Sequence, residues 1–285
     1  MQKTPISTLC LDDREFLIKR DDLFDEYLSG NKYRKLHKLL QTPADKLDTI
    51  ISYGGTQSNA MLSIAAMCQQ KGWKFIYYTK PLSQHQKQNQ DGNYAQALRF
   101  GMQHKEIEHE LYRDYVASLR VLQDERSFII HQGGAVDEAV EGLEVLADEI
   151  RTQNPQCDAI ATPSGTGTTA FFLAKHLSEF TIYTTPSVGD KSYLLEQMGA
   201  LGKVPDNLII LESEKKYHFA KPYREFYEIY EKLLKSGIEF DLLYAPLLWK
   251  LLLEQTQERI LYIHSGGVFG NTTMLERYKR KGFVR

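Results

Sequence analysis

The sequence has few cysteines, no excess of charge of one sign and no long apolar run. Its three cysteines are an odd number without CxxC spacing, which excludes a disulfide framework and gives no zinc site. Lys and Arg number 35 against 37 Asp and Glu, so charge gives no reason to expect nucleic acid or anionic lipid as a partner. The richest apolar stretch, Leu242 to Leu253, contains Pro246 and Lys250 and is shorter than the roughly 20 residues of a membrane helix. Because the first ten residues lack a signal-peptide core, we expect a cytoplasmic globular protein without a metal or a membrane partner.

What the sequence does contain is an alternation of short β-rich runs with longer segments of helical period. Val140, Leu143, Ala147 and Ile150, for example, recur at steps of three and four residues. This alternation predicts an α/β fold of two domains, in which parallel-rich twisted sheets are flanked by helices. The predicted strands are 16–19, 49–52, 75–79, 128–131, 159–162, 181–185, 208–211 and 260–264, and the predicted helices lie near 32–40, 58–70, 90–100, 113–123, 137–152, 168–178, 222–235, 247–257 and 270–278.

A loop rich in Gly, Ser and Thr follows the fifth predicted strand. Parallel α/β sheets bind ligands at the carboxyl ends of their strands, so such loops are informative. Two glycines allow close backbone approach, and the helix that follows offers free N–H groups and a partial positive charge. The pattern suits a phosphate, although an ordinary capped turn has similar residues. The residues of this candidate phosphate site are Ser164, Gly165, Thr166, Gly167, Thr168 and Thr169.

Two nucleotide-binding motifs have glycines in a similar position after a strand. Walker A is excluded because no Gly-Lys-Ser/Thr follows the glycines. The run from Gly165 to Ala170 fits the dinucleotide fingerprint G-x-G-x-x-A, which expects an acidic residue about 20 positions later at the end of the next strand. The nearest acid is Asp190, which lies inside the following loop. An NAD(P)-dependent oxidoreductase is therefore the second choice.

One lysine of the predicted helix 32–40 lies toward its apolar face. At roughly 100° per residue, Lys32 is about 50° from the middle of that face, whereas Lys35 and Lys38 point away and are expected to be solvated. Desolvation lowers the pKa of an ammonium group, so Lys32 is a candidate for imine formation with an aldehyde; a snorkelling lysine is the alternative. Together with a phosphate loop, such a lysine favours pyridoxal 5′-phosphate as cofactor, since it carries both an aldehyde and a phosphate.

A second glycine-containing loop, Gly54 to Ala60, follows the second predicted strand and opens a helix. Ser58 and Asn59 stand where N-cap residues belong. The backbone N–H groups exposed at that helix start can also hold a substrate carboxylate. The hydroxyl of Ser58 could in addition approach the reacting carbon.

These motifs resemble those of the fold-type-II pyridoxal-phosphate enzymes, which are related to tryptophan synthase β, and they occur in the same order along the chain. The family that they resemble contains 1-aminocyclopropane-1-carboxylate deaminase and D-cysteine desulfhydrase. The similar segments are Ile18 to Leu23, Gly30 to Leu36 with the family's Schiff-base lysine, Gly54 to Asn59 with its Gly-Gly-x-Gln-Ser-Asn signature, Gln132-Gly133-Gly134 with Gly142, and the phosphate loop.

The resemblance implies roles for individual residues. Lys32 would bind the cofactor and shuttle protons, and Ser58 would be the reactive hydroxyl. Asn59, with Gln57 beside it, would hold the substrate carboxylate or the cofactor's ring oxygen. Two tyrosines match the family's active-site tyrosines, with core packing as the alternative for both; they are Tyr244 and Tyr223.

Two residues depart from the family's pattern. The position after Tyr244 carries Glu in the deaminases and Thr in the desulfhydrases, beside the pyridine nitrogen; here it is Ala245, and Pro246 follows. Ser265, in a stretch similar to the family's final Gly-Gly loop, would then provide the hydrogen bond to that nitrogen. A hydroxyl cannot keep the pyridine protonated as a carboxylate can, which favours β-elimination over ring opening.

We therefore predict a large cofactor-binding domain of residues 1–42 and 143–285, with residues 43–142 forming a smaller inserted domain and the cofactor between the two. The predicted activity is α,β-elimination from a small amino acid such as D-cysteine, which yields pyruvate and ammonia. The alternatives are 1-aminocyclopropane-1-carboxylate deamination, a catalytically silent cofactor-binding relative and the oxidoreductase. The resemblance also implies a homodimer.

Overall fold

Two β-sheets with helices on their faces form the protein, whose computed structural model describes residues 3–119, 124–132 and 139–284. In chain order the strands are β1 (Ile6–Leu11), β2 (Arg14–Lys19), β3 (Thr49–Tyr53), β4 (Lys74–Thr79), β5 (Gln103–Glu106), β6 (Ser127–Ile130), β7 (Ala159–Ala161), β8 (Thr181–Thr184), β9 (Leu208–Ile210) and β10 (Ile260–Ile263). The larger sheet has the order β1-β2-β10-β7-β8-β9, and the smaller sheet has the order β5-β4-β3-β6.

The helices separate the strands and cover both sheets. They are α1 (Gly30–Lys35), α2 (His37–Gln41), α3 (Asn59–Lys71), α4 (Gln84–Gln88), α5 (Gly92–Arg99), α6 (Tyr112–Ser118), α7 (Ala139–Gln153), α8 (Thr168–His176), α9 (Lys191–Gly199), α10 (Arg224–Lys235), α11 (Ala245–Gln255) and α12 (Asn271–Arg280). Among the described residues, none of these helices is long and apolar enough to cross a membrane.

The parallel-rich α/β class is confirmed. β1 and β2 pair antiparallel, and the other neighbouring strands of both sheets run parallel. Each of the eight predicted strands overlaps an observed one, and β1 and β5 were missed. β5 has the sequence Gln-His-Lys-Glu and lies at a sheet edge, where exposure removes the apolar alternation that identifies a strand.

The strands of the smaller sheet all lie between residues 49 and 130, and those of the larger sheet come from both sides of that segment. One continuous apolar core joins the two, because it contains Ile50 of β3, Met61 of α3 and Ile160 of β7. A second core lies under α10, α11 and α12. The predicted division into residues 1–42 with 143–285 and residues 43–142 stays a prediction.

A buried ion network holds α1 in place. Glu149 on α7 lies 2.8 Å from Lys19 Nζ and 2.7 Å from Arg34 Nη1, and Asp21 is 2.7 Å from Arg34 Nη2. The helices α1 and α7 approach closely because Gly142 has no side chain; a Cβ there would lie 1.8 Å from the carbonyl oxygen of Arg34. Gly142, which was predicted to match the family's later Gly-Gly segment, thus lies in α7. Gly133 and Gly134, predicted for the same segment, lie outside the described residues.

Candidate active site

A cavity of about 270 Å³ opens between the two sheets at the carboxyl ends of their parallel strands. Its walls come from the start of α1 and from the loops after β3, β6, β7, β8 and β10. The part of the chain that the structure describes contains no group of three or more His, Cys, Asp or Glu side chains that could hold a metal. The cavity collects most of the predicted site residues, namely Lys32, Gln57, Ser58, Asn59, Ser164, Gly165, Thr166, Gly167, Thr168, Thr169, Tyr244 and Ser265.

Lys32 reaches the cavity because the start of α1 lies directly against the loop after β10. Gly30 has a φ of +59°, and a Cβ there would lie 2.0 Å from the carbonyl carbon of Ser265. A Cβ at Gly266 would lie 2.4 Å from Ser29 Oγ. A side chain at either glycine would separate the two segments, so this contact depends on glycine. It brings Lys32 and Ser265 to the same cavity.

The amine of Lys32 loses its proton more easily than that of an ordinary lysine. Its Nζ donates a hydrogen bond of 2.8 Å to Asn31 Oδ1. Burial lowers the pKa of Lys32 to about 8, and attraction by Asp241 opposes this shift. More of the lysine is therefore present as the nucleophilic free amine near neutral pH.

We expect the rate at which Lys32 captures an aldehyde to rise with pH and to level off above pH 8. Below that pH the amine is protonated and cannot attack. Apoprotein mixed with pyridoxal phosphate at a series of pH values, trapped with borohydride and analysed by mass spectrometry would give this profile. A blocked lysine in solution is the control. A Lys32 profile that keeps rising in parallel with the control would contradict the lowered pKa.

Lys35 is buried, so the prediction that it is solvated was wrong. Only 3% of the residue is exposed, and it lines the cavity together with Lys32. The predicted continuous helix is broken at Leu36, which has φ −90° and ψ 6°. The apolar face was calculated for a single helix from 32 to 40, so it does not describe which side of α1 is buried. Burial and the nearby ammonium of Lys32 lower the pKa of Lys35. Two lysines in a cavity whose described walls contain no carboxylate favour an anionic ligand.

The loop after β7 ends at a helix N-terminus, as predicted. Gly167 caps α8 with a φ of +77°, and a Cβ there would lie 2.6 Å from Met198 Cε. The first N–H groups of α8 have no acceptor within the helix, and the hydroxyl oxygens of Thr166 and Thr168 lie 3.1 Å apart. This combination of N–H groups and hydroxyls can hold a phosphate.

Ser164 is the exception in this loop. Its Oγ lies 2.7 Å from Thr184 Oγ1, and Thr184 already donates its hydroxyl proton to the carbonyl of Thr162 at 2.8 Å. Ser164 must therefore be the donor in the first bond, and its backbone N–H donates to the carbonyl of Thr185. Both of its donors are used inside the protein, so the structure does not place Ser164 in the phosphate-binding donor set.

The start of α3 forms the opposite wall. Ser58 caps the helix by accepting a hydrogen bond of 3.1 Å from the N–H of Met61. Asn93 on α5 donates from Nδ2 to Asn59 Oδ1 at 2.8 Å, which leaves the NH2 end of the Asn59 amide to meet a ligand. Among the described residues, Gln57 Oε1 is buried without a hydrogen-bond partner, as expected where a ligand supplies the donor. Asn93 was not predicted, because its helical segment has no distinguishing pattern.

Tyr244 lines the cavity, and Tyr77 lies behind the wall that Gly55 forms. A Cβ at Gly165 would lie 3.3 Å from Tyr244 Cε1, and Asp241 Oδ1 accepts from the N–H of Tyr244 at 2.7 Å. Burial raises the pKa of Tyr244, so its hydroxyl keeps its proton. The hydroxyl of Tyr77 on β4 donates to the carbonyl of Gly55 at 3.2 Å. Tyr77 was missed because an aromatic residue in a buried strand looks like ordinary core.

The structure does not bring Tyr223 into the cavity. Its hydroxyl accepts a hydrogen bond of 3.0 Å from the N–H of His218, and its ring packs 4.8 Å from that of Tyr217. Phe219 lines the cavity instead, with its ring centroid 5.3 Å from that of Tyr244. Spacing along the chain cannot tell which aromatic residue of such a loop turns inward.

The residues of the cavity suit pyridoxal phosphate. The amine of Lys32 can bond the aldehyde, and Lys35 with the start of α8 can meet the phosphate. The buried, unpartnered oxygen of Gln57 marks a place for a ligand donor within the described residues. Ser265 offers a hydroxyl, whereas Ala245 is 1% exposed and packs in the second core.

Comparison with known proteins agrees with this fit. The family model described as "Pyridoxal-phosphate dependent enzyme" matches residues 2–190. A Thermotoga maritima protein, provisionally named a 1-aminocyclopropane-1-carboxylate deaminase, is 27% identical over 281 residues, which cover 89% of this chain and 88% of that protein. The crystal structure of an ACC deaminase homologue superposes with a TM-score of 0.77 at 23% identity and covers 97% of this chain and 94% of the other.

A more distant structure has the same fold. The crystal structure of T.th. threonine deaminase superposes with a TM-score of 0.67 at 16% identity and covers 93% of this chain and 92% of the other. These matches confirm the predicted fold, cofactor and enzyme class, a pyridoxal-phosphate-dependent lyase or deaminase, and they do not favour the dinucleotide alternative. The chain belongs to the family of pyridoxal-phosphate-dependent enzymes.

Proposed function

We propose that the protein catalyses α,β-elimination from a small amino acid such as D-cysteine, with release of the β-substituent, pyruvate and ammonia. The observation that carries this proposal is that no carboxylate lines the cavity within the described residues: Ala245 packs in the core, and Ser265 offers a neutral hydroxyl beside Lys32. A neutral hydroxyl stabilises a protonated ring nitrogen far less than a carboxylate does. Elimination needs less electron withdrawal by the cofactor ring than ring opening does, because the leaving group takes the electron pair.

The cofactor would be held by residues of both walls. Lys32 would bind its aldehyde carbon, Lys35 and the loop Gly165 to Thr169 would bind its phosphate, and Ser265 would meet its ring nitrogen. When bound, pyridoxal phosphate supplies a carbonyl for the substrate amine and a ring that withdraws electrons from the α-carbon.

The protein itself would orient the substrate and move protons. The N–H groups at the start of α3 and the NH2 group of Asn59 would bind the substrate carboxylate, close to Ser58. Lys32 Nζ, with a pKa of about 8, can accept the proton of the α-carbon near neutral pH. The hydroxyl of Tyr244, kept protonated by burial, can donate a hydrogen bond to the leaving group.

A second candidate is 1-aminocyclopropane-1-carboxylate deamination, which the names of the relatives and the Ser58 hydroxyl in the cavity favour. In either case we infer a cytoplasmic homodimer, as the family resemblance implies; light scattering of the purified protein tests the dimer.

Absorption spectra of the purified protein with pyridoxal phosphate, taken before and after D-cysteine is added, test the proposal. We expect the bound-cofactor band to change while pyruvate and hydrosulfide appear in equal amounts. L-cysteine and 1-aminocyclopropane-1-carboxylate are run in parallel. Turnover of the cyclopropane substrate alone would select the second candidate. A bound-cofactor band that none of the three amino acids changes would identify a catalytically silent relative.

A further inference from the structure

Three apolar side chains form a rim at the cavity: those of Val188, Tyr193 and Phe219. Tyr193 and Phe219 are each 38% exposed, so large apolar surfaces face solvent beside a cavity whose other walls are mostly polar. Neither the cofactor nor the substrate carboxylate uses these three residues in the arrangement proposed above. Exposed apolar surface that adjoins a cleft is typical of a ligand-binding site.

The ring of Tyr193 is held at the rim by the backbone before it. Gly189 has a φ of +72°, and a Cβ there would lie 2.7 Å from Tyr193 Cδ1. Asp190 Oδ1 accepts a hydrogen bond of 2.9 Å from the N–H of Tyr193 and so caps α9. A glycine turn and a helix cap thus determine where this ring lies.

Phe219 is held on both sides. The carbonyl of Ala220, which has a φ of +59°, accepts a hydrogen bond of 3.0 Å from Arg277 Nη1. The N–H of His218 donates to the hydroxyl of Tyr223 at 3.0 Å. These two bonds hold the backbone on both sides of Phe219, whose side chain lines the cavity.

The charge of the cavity restricts what the rim can bind. No carboxylate lines the cavity within the described residues, and both lysines have a place in binding the cofactor. A positively charged substituent inside the cavity would meet no carboxylate of the described lining, whereas a neutral apolar one would cover the exposed rings. The rim also adjoins the reacting end, because the ring of Phe219 lies 5.3 Å from that of Tyr244.

We propose that the rim of Val188, Tyr193 and Phe219 binds the apolar β-substituent of the substrate, and that the preferred substrates are S-alkyl or S-aryl cysteines. This inference rests on the proposed elimination. The Cα–H bond breaks and its proton passes to Lys32 Nζ, while the electron pair forms the Cα–Cβ double bond. The Cβ–S bond breaks, its electron pair leaves with sulfur, and sulfur gains a proton to become the thiol. One water molecule then completes the release of pyruvate and ammonia, so the reaction needs no oxidant.

Steady-state kinetics of the holoenzyme test this proposal. We expect kcat/KM for S-benzylcysteine to exceed that for cysteine about tenfold, with both enantiomers assayed. Phe219→Ala should lower this ratio about tenfold, because the variant removes an apolar wall. The control is Leu234→Ala, at an exposed leucine of α10 outside the cavity, which should leave the ratio unchanged. Equal kcat/KM values for S-benzylcysteine and cysteine in the wild type would contradict the role proposed for the rim. They would not contradict the proposed elimination.

Binding measurements test the proposed role of the rim independently of the proposed elimination reaction. Norleucine and alanine have no leaving group, so calorimetry of each with the holoenzyme measures the side-chain site alone. We expect norleucine to bind about tenfold more tightly than alanine, and this preference to disappear in Phe219→Ala and in Tyr193→Ala. If no cysteine derivative is eliminated, the proposed function fails and this measurement still decides the inference. Equal affinities of norleucine and alanine would overturn it.

Discussion

Lys32→Ala is expected to abolish covalent retention of pyridoxal phosphate and to lower turnover at least about 10³-fold. The side chain lies in the cavity with its pKa lowered to about 8, and no backbone group can replace a primary amine as nucleophile and base. Borohydride reduction followed by mass spectrometry measures the covalent bond, and pyruvate production measures turnover.

Lys38→Ala is the matched control for this experiment. Lys38 is an exposed lysine of α2 that does not line the cavity, so its loss should change neither measurement. Added methylamine would be expected to restore part of the turnover of Lys32→Ala. Full turnover in Lys32→Ala without an added amine would contradict the assigned role.

Glu149→Gln is expected to lower the free energy of unfolding by about 3–5 kcal/mol, the cost of removing one partner from a buried ion pair. Glu149 meets Lys19 and Arg34, and the side chains of all three are at most 3% exposed. Glutamine nearly preserves the shape of the carboxylate, so the effect comes from the lost charge: Lys19 loses the carboxylate that it contacts, and Arg34 keeps only Asp21. Urea unfolding followed by circular dichroism measures the change.

Glu144→Gln, at an exposed position of the same helix, is the matched control and should change the free energy of unfolding by less than about 0.5 kcal/mol. The cost of Glu149→Gln should also depend on pH. Burial by itself would raise the pKa of Glu149, but bonds to Lys19 and Arg34 outweigh it and lower the pKa below 4.5. The carboxylate therefore stabilises the fold above pH 4.5, and its contribution is lost as pH falls through the lower folded-state pKa. A difference between variant and wild type that stays constant down to pH 3 would contradict this account.

Features of the site that depend on local pattern were predictable. Ser58 caps α3 as expected, because capping is decided by a few neighbouring residues. The loop before α8 leads into a helix N-terminus for the same reason. Lys32 was identified by its nearness to an apolar face, although α1 is shorter than the helix assumed. Ligand-binding loops could be located because strand and helix alternation determines which loops follow parallel strands.

Features that depend on distant partners were not predictable. Lys35 is buried because the helix breaks at Leu36, and Ser164 is occupied because Thr184, on another strand, lies beside it. The loop before α10 turns Phe219 inward and leaves Tyr223 to bond the backbone. Each of these outcomes was settled by a contact that no spacing along the chain encodes.

By itself the sequence determined the fold class, the family, the cofactor and the segments from which the site is built, since all of these are written in local periodicity and short motifs. Only the tertiary structure decided which side chains have hydrogen-bond donors left for a ligand, which lysines are buried and desolvated, and which aromatic rings form the rim of the cavity. The physical reason is that desolvation and hydrogen-bond occupancy depend on every group packed around an atom, and in an α/β protein most of those groups come from far away in the chain.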